Sequence, residues 1–217
     1  MKRIILWSVF LVIIGLLVWG VVVASKKDGV KVEGALSVPV STTDWSVGPV
    51  DAKVTLLEYA DFQCPACAAY HPLVKRTLEA FPKDVRFVYR HFPLITIHMN
   101  ADYAAGAAQA AGKQGKFWEM HDLLFEKQSD WENSPEALML FANYATSLGL
   151  DVKKFNADVI SMETRKAIND SYRSGVQSGV KGTPTFFING KMIQSPRSEE
   201  EFKTLIQNAI ASSTVSQ

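Results

Sequence analysis

Two kinds of apolar pattern alternate along the chain and together predict a mixed α/β domain. Residues 54–60 form an almost continuous apolar run, as in a strand covered on both faces, and only Glu58 interrupts it. Residues 85–89 alternate between apolar and polar positions, which predicts a second strand. Between them, apolar residues recur at helical spacing from Cys64 to about Phe81. These segments predict a βαβ unit, whose crossover should be right-handed.

The pattern becomes helical from about residue 100 to residue 177. Asn100 can cap an alanine-rich helix, and Ser134 followed by Pro135 suits the cap and first turn of another. Further stretches in this block also carry apolar residues at helical spacing. We therefore predict a helical insertion at about 99–178 between the two halves of the domain.

Strand patterns return after the helical block. Residues 184–188 and 191–194 predict two strands, and Asn189-Gly190 between them is a strong hairpin signal because both positions tolerate positive φ. An amphipathic helix with a capping box follows. The order βαβ, helices, ββα predicts one α/β domain over residues 50–213.

The first 24 residues have a different pattern. Residues 4–24 carry no charge, and a helix of that length, at about 1.5 Å per residue, matches the roughly 30 Å hydrocarbon core of a bilayer. Trp7 and Trp19 lie near its ends, where indole rings favour the interface. We predict a signal-anchor helix over 1–24, which would make the protein a single-pass protein of the cell membrane with its catalytic domain outside the cytoplasm. The alternative is a secreted protein, produced by cleavage near Ala24, although signal peptides usually have only about 7–15 apolar residues.

Residues 25–49, between the anchor and the domain, contain scattered Gly, Ser, Thr and Val but no large apolar cluster. We predict that they form a tether, and that the last part of it can add an edge strand to the sheet.

The composition excludes some classes of function. The 23 basic and 22 acidic residues leave a formal net charge of +1, and the basic residues are spread along the chain. Nucleic-acid binding usually leaves a basic stripe on one face, so we predict no nucleic-acid partner. The two cysteines are too few for a disulfide-stapled scaffold, so they need another explanation.

Both cysteines stand at the predicted junction of strand and helix, in the order Cys64-Pro65-Ala66-Cys67. The free N–H groups and dipole of a helix N-terminus favour negative charge, and thiols in such motifs have pKa values of about 3.5–7.5 against roughly 8.5 for a free thiol. The thiolate is the species that exchanges disulfides. The position therefore predicts that Cys64 is the nucleophile and that Cys67, one turn further and more buried, is the resolving thiol.

A zinc site is the competing interpretation of the cysteine pair. His71 lies four residues after Cys67 on the same helix face, which would supply a third ligand. A structural zinc site needs four ligands, and the chain has no second cysteine pair. We therefore predict no metal at the cysteines and interpret His71 as a half-exposed helix residue.

Three separated segments, residues 58–67 (EYADFQCPAC), 90–94 (RHFPL) and 182–187 (GTPTFF), resemble those of one protein family. That family is the DsbA-type thiol–disulfide oxidoreductases of the thioredoxin-like superfamily, especially the membrane-anchored branch that includes BdbD. The resemblance runs from about residue 50 to residue 211. It implies a thioredoxin-like fold with a helical insertion.

The resemblance also implies roles for residues around the cysteines. Pro184 should follow a cis peptide bond and lie beside the cysteines, with the backbone of Thr183 pairing with an extended substrate. The alternative is a proline that merely starts a strand. Glu58 should lie beneath the disulfide and relay protons to and from Cys67, with a pKa raised by desolvation. The alternative is a glutamate paired with Arg86.

The function implied by the resemblance is the introduction of disulfides into exported proteins through a mixed disulfide at Cys64. No cofactor is expected beyond the Cys64–Cys67 disulfide, and a quinone-linked membrane protein of the DsbB or VKOR type should reoxidise it. Ala66 stands where the strongest oxidants of the family have histidine, which predicts a less oxidising pair. The alternatives are an isomerase or reductase on the same fold, and a redox-inactive binding or chaperone-like module.

Overall fold

The computed structural model describes residues 34–214, which contain a five-stranded sheet surrounded by helices. The predicted anchor at residues 1–24 lies outside the described residues. No helix within residues 34–214 is long and apolar enough to cross a membrane. The elements of the described part are, in chain order, β1 (Trp45–Val47), β2 (Val54–Ala60), α1 (Pro65–Ala80), β3 (Val85–His91), α2 (Ala101–Gly112), α3 (Phe117–Glu126), α4 (Gln128–Trp131), α5 (Ala137–Ser147), α6 (Val152–Val159), α7 (Met162–Gln177), β4 (Thr185–Ile188), β5 (Lys191–Ile193) and α8 (Glu199–Thr214).

The strands lie in the order β1-β3-β2-β4-β5. β2 and β3 are parallel and are joined through α1, as the βαβ pattern predicts. β4 runs antiparallel to β2 and to β5, and the turn between β4 and β5 has positive φ at both Asn189 and Gly190. This mixed α/β sheet, with β2 at its centre, confirms the predicted thioredoxin-like arrangement.

Each face of the sheet has its own apolar core. Successive side chains of a strand point to opposite faces. Leu56 and Ala60 of β2 accordingly belong to one core, which also includes both cysteines and residues of α8, whereas Leu57 and Tyr59 belong to the other. α1 and α8 pack against each other on the first face, and α7 packs against β3. The alternation places Glu58 on the face that holds the cysteines.

The helices α2–α7 form the predicted insertion between β3 and β4. The alanine-rich α2 lies at its centre and packs against α3, α6 and α7. Asn100 is the cap residue of α2, but its side chain makes no cap hydrogen bond. The helix predicted to start at Ser134 and Pro135 begins instead at Ala137, because the Ser134 hydroxyl accepts from the backbone N–H of Glu136 in a turn before the helix.

Part of the predicted tether packs on the domain. β1 is the edge strand that the end of this segment can add, and it pairs antiparallel with β3. The Trp45 ring stacks on Phe117 of α3 with 4.4 Å between ring centroids. Further back, the Leu36 N–H donates to the Gly190 carbonyl. Residues 34–49 thus contact the sheet and the insertion, because their few apolar and charged side chains find partners that are distant in sequence.

Candidate active site

The two cysteines lie at the N-terminus of α1. Cys64 is the cap residue and Pro65 occupies the first turn, where its missing N–H would have had no helical partner. Both cysteines are free thiols. The Cys64 side chain is 7% exposed and that of Cys67 is fully buried, while Pro65 and Ala66 are exposed. A reactant from solvent can therefore reach the sulfur of Cys64 first.

The surroundings of Cys64 favour its ionised form. Its pKa falls from the ordinary 9.0 to about 5, chiefly because the Cys67 thiol donates a hydrogen bond to it. Burial acts in the opposite direction, and the backbone N–H groups of Ala66 and Cys67 add to the lowering. These N–H groups are the free donors of the first helical turn, as predicted for a cysteine at this position.

Cys67 has the opposite character. Burial raises the pKa of its thiol well above the usual range, and the hydrogen bond to Cys64 and the charge of Glu58 act in the same direction. One thiol of the pair is thus acidic and the other stays protonated, so a thiolate on Cys64 and a proton on Cys67 are the stable arrangement at neutral pH.

The loop before β4 faces the pair. The peptide bond between Thr183 and Pro184 is cis, as the resemblance implies, and β4 begins at the next residue. The Sγ of Cys64 lies 3.4 Å from the Thr183 carbonyl oxygen, to which the protonated thiol can donate. Among the residues that the structure describes, the buried Thr183 hydroxyl has no hydrogen-bond partner. It can donate to a Cys64 thiolate, which contributes to the lowered pKa of Cys64.

Glu58 is 3% exposed and lies on the cysteine face of β2. Burial raises its pKa from 4.5 to about 8, and the charge of Cys64 adds to the shift. Arg86, the alternative partner of Glu58, donates instead to the Ser46 hydroxyl at 3.0 Å. The residue opposite Arg86 on β2 is Thr55 and not Glu58. The site therefore contains a carboxyl group that stays protonated at neutral pH and interacts electrostatically with both cysteines.

Asp61 organises the loop between β2 and α1. Its carboxylate accepts from the backbone N–H of Gln63 at 2.8 Å and of Leu94 at 2.9 Å. It also lies 2.7 Å from Nδ1 of His98. These bonds tie the loop before the cysteines to the segment after β3, so Asp61 has a structural role.

Three amide side chains that the sequence analysis did not assign to the site hold the same loop against the insertion. Gln128 of α4 donates to the carbonyls of Phe62 at 2.7 Å and Cys64 at 3.1 Å. The side-chain oxygen of Gln63 accepts from the backbone N–H of Asn100 at 2.7 Å. The side-chain amide of Asn100 donates to three backbone carbonyls between residues 131 and 134. Gln128 stands in a run of polar residues, 126–130, so the sequence carries no signal that singles it out for this contact.

One protein family and several curated proteins are similar in sequence to this chain. The family described as Thioredoxin matches residues 40–208. The chain is 40% identical over 178 residues to a protein named Na(+)/H(+) antiporter NhaA 3 from Salinispora tropica, a match that covers 82% of the chain and 26% of that protein. It is 39% identical over 147 residues to the Na(+)/H(+) antiporter NhaA of Herminiimonas arsenicoxydans, covering 68% of the chain and 22% of that protein. The chain thus spans about a quarter of the length of these curated relatives.

Solved structures show the same arrangement of elements. A thioredoxin-like oxidoreductase from Silicibacter pomeroyi DSS-3 is 26% identical with a TM-score of 0.65, covering 80% of this chain and 94% of that one. Oxidised BdbD from Bacillus subtilis is 22% identical with a TM-score of 0.73, covering 82% and 98%. The α-DsbA1 of Wolbachia pipientis is 21% identical with a TM-score of 0.71, covering 83% and 97%.

The family match covers most of the chain, and the TM-scores of 0.65 to 0.73 show that the solved structures have a similar fold. The chain therefore belongs to the thioredoxin family, with the fold of the DsbA-type oxidoreductases, and this confirms the resemblance drawn from its three motifs.

Proposed function

We propose that the protein is an extracytoplasmic thiol–disulfide oxidoreductase that introduces disulfides into exported proteins through Cys64 and Cys67. The observation that carries the proposal is the asymmetry of the pair. The pKa of Cys64 is lowered to about 5, whereas that of Cys67 is raised well above its usual range. Two equivalent thiols in a passive binding module would not need this difference.

In the first step, a substrate thiolate attacks the sulfur of Cys64 in the Cys64–Cys67 disulfide. The disulfide bond breaks, a bond forms between the substrate sulfur and Cys64, and the electron pair goes to Cys67. Because Cys67 is fully buried, attack on Cys64 is sterically favoured. The Cys67 sulfur takes up a proton, which the protonated carboxyl of Glu58 can supply.

In the second step, another thiolate of the substrate attacks the substrate sulfur of the mixed disulfide, and Cys64 leaves as a thiolate. A thiol of low pKa is the better leaving group, so the pKa of about 5 favours this step. The substrate has then lost two electrons to the cysteine pair. The backbone of Thr183, beside Cys64, is proposed to pair with the extended substrate segment during the exchange.

The direction of exchange follows from the stability of the reduced pair. A stabilised thiolate makes the corresponding disulfide more oxidising. The pKa of about 5 lies between those of thioredoxin, about 7, and DsbA, about 3.5. We therefore expect a reduction potential between roughly −270 and −120 mV, which agrees with Ala66 in place of the histidine of the strongest oxidants. A value at or below about −270 mV would favour a reductase instead.

The location and the electron partner are part of the same proposal. The extracytoplasmic location is inferred from the apolar segment at residues 4–24. The reoxidase, a quinone-linked membrane protein of the DsbB or VKOR type, is inferred from the family resemblance. If the segment is an anchor, it would raise the local concentration of the domain near such a partner. Protease added outside intact cells should then degrade the domain.

Trapping of intermediates tests the proposal. Replacing Cys67 with serine removes the resolving thiol, so Cys67→Ser should accumulate mixed disulfides through Cys64 that a reductant releases. The matched variant Cys64→Ser, expressed at the same level, should form none. Non-reducing electrophoresis reads the result. If Cys67→Ser forms no more mixed disulfides than Cys64→Ser, the pair is redox-inactive and the protein is a binding module.

A further inference from the structure

We propose that His71, His121 and Asp122 form a site for a divalent transition-metal ion that links α1 to α3, separate from the cysteine pair. His71 lies on α1, and His121 and Asp122 are neighbours on α3. One ligand atom from each of the three residues can be chosen so that all lie within 4.8 Å of one another. The cysteines are not members of this group. The His71 side chain is 10% exposed, so it is more buried than the half-exposed helix residue that the sequence predicts.

The carboxylate stands between the two imidazoles. Oδ1 of Asp122 lies 3.0 Å from Nδ1 of His121 and 3.7 Å from Nε2 of His71. The rings of the two histidines are 5.3 Å apart between centroids. These separations leave a single ion within reach of all three side chains after small rotations.

Unpartnered ring nitrogens point to a ligand. Nε2 of His71 and Nε2 of His121 are both buried and make no hydrogen bond within the described residues. His121 is only 4% exposed, so water outside the protein does not satisfy it. A buried polar atom without a partner is destabilising. Coordination of a metal ion by Nε2 of His71, whose side chain is only 10% exposed, would remove that penalty at His71.

The donor set indicates the class of ion. Two imidazoles and one carboxylate are the ligands of zinc sites that keep a fourth position open. Calcium and magnesium prefer oxygen ligands only. Zn²⁺ is therefore the ion that best fits the group.

The surroundings allow the ion to enter. A cavity of about 160 Å³ adjoins the three residues and is otherwise lined mainly by apolar side chains, among them Phe87 and Trp118. The Asp122 side chain is 36% exposed and marks the route from solvent. An apolar surround of this kind strengthens the interaction between an ion and its ligands.

Lys75 competes with the ion. Its ammonium lies 3.0 Å from Oδ2 of Asp122, the carboxylate oxygen that does not face the histidines. The Lys75 side chain is 49% exposed and can turn into solvent. Removal of this charge should therefore tighten metal binding, an effect opposite to that of removing a ligand.

Calorimetric titration of the protein with Zn²⁺ alone tests the site. The cysteine pair is first oxidised so that thiolates do not bind the ion. We expect one Zn²⁺ per chain, and a binding at least tenfold weaker in His71→Gln and in Asp122→Asn. Lys75→Ala should bind Zn²⁺ more tightly than the parent protein.

Two matched variants are the controls. His98→Gln removes a histidine and Asp170→Asn a carboxylate elsewhere in the chain, and both should bind Zn²⁺ as the parent does. Thermal unfolding gives a second readout that does not depend on activity. Zn²⁺ should raise the melting temperature of the parent and of Lys75→Ala but not that of His71→Gln. The proposal is overturned if the oxidised parent binds no Zn²⁺, or if His71→Gln and Asp122→Asn bind it unchanged.

Discussion

Glu58 is the residue whose burial has the clearest energetic consequence. It occupies the central strand, where it is 3% exposed, and its carboxylate makes no ion pair within the described residues. Desolvation of the charged form is the largest cause of its raised pKa, and the charge of Cys64 is the second. The protein thus holds a neutral carboxyl beside the thiols at a cost that depends on pH.

Replacing Glu58 with glutamine should stabilise the reduced protein at neutral pH but not at acidic pH. The folded-state pKa, about 8, is above the ordinary 4.5. Below about pH 4.5 both the folded and unfolded states are protonated. As the pH rises toward 8, the unfolded state ionises first, so the stability of the parent falls. At about 1.4 kcal/mol for each pKa unit, Glu58→Gln should be more stable than the parent by about 3 kcal/mol at pH 7.

Guanidinium unfolding of the reduced proteins at pH 4 and pH 7 measures this difference. Glu79→Gln, an exposed position on α1, is the control and should change stability by less than about 0.5 kcal/mol at either pH. A stability gain for Glu58→Gln that is the same at both values would show that Glu58 is not kept neutral by burial.

At the scale of elements, the insertion holds the N-terminus of α1 in place. Gln128 of α4 is 8% exposed, and its side-chain amide donates to the carbonyls of Phe62 and Cys64. These carbonyls belong to the loop that leads from β2 into the helix with the cysteines. The helical insertion therefore supports the site as well as the core.

Replacing Gln128 with leucine should destabilise the protein by about 1–3 kcal/mol, because two backbone carbonyls lose their donor where water has little access. Denaturant unfolding measures the loss. Gln207→Leu, an exposed position on α8, is the matched control and should stay within about 0.5 kcal/mol of the parent. Equal stability of the two variants would show that Gln128 does not hold the loop.

The sequence predicts the elements better than it predicts these contacts. Strands and helices follow from local periodicity, and β2, α1 and β3 occur where the apolar pattern places them. The role of Asn100 could not be predicted, because its side chain donates to carbonyls of residues more than 30 positions further along the chain instead of capping α2. An amide side chain can either cap a helix or donate to distant carbonyls, and only the packing of the insertion decides which of these it does.

At the scale of the whole molecule, a buried ion pair fastens the segment before β2 to the sheet. Arg90 of β3 is 5% exposed and forms two parallel bonds to Asp44, at 2.7 and 2.9 Å. It also donates to the carbonyls of Val38 and Pro39 and to the Tyr59 hydroxyl. A planar guanidinium suits this many fixed acceptors.

This connection explains why the predicted start of the domain near residue 50 leaves out part of the packed chain. Residues 34–49 have no strong apolar pattern, and their partners lie 40 or more positions away, so periodicity could not reveal them. His71 and His121 are likewise more than 40 positions apart in the sequence. Their proximity depends on how α1 packs against α3. The arrangement of the cysteine pair was more predictable, because the two cysteines and the start of their helix are adjacent in sequence.

The proposed chemistry requires that Cys64, at the N-terminus of α1, is a thiolate at neutral pH. The pH dependence of Cys64 alkylation tests this most directly. Iodoacetamide reacts with the thiolate, so its rate with the reduced protein follows the ionised fraction of Cys64. Cys64→Ser gives the background rate from Cys67, which should stay low because that thiol is buried and protonated. The rate should show a midpoint near pH 5. A midpoint near about 8.5, the value of an ordinary free thiol, would contradict the proposed chemistry of the pair.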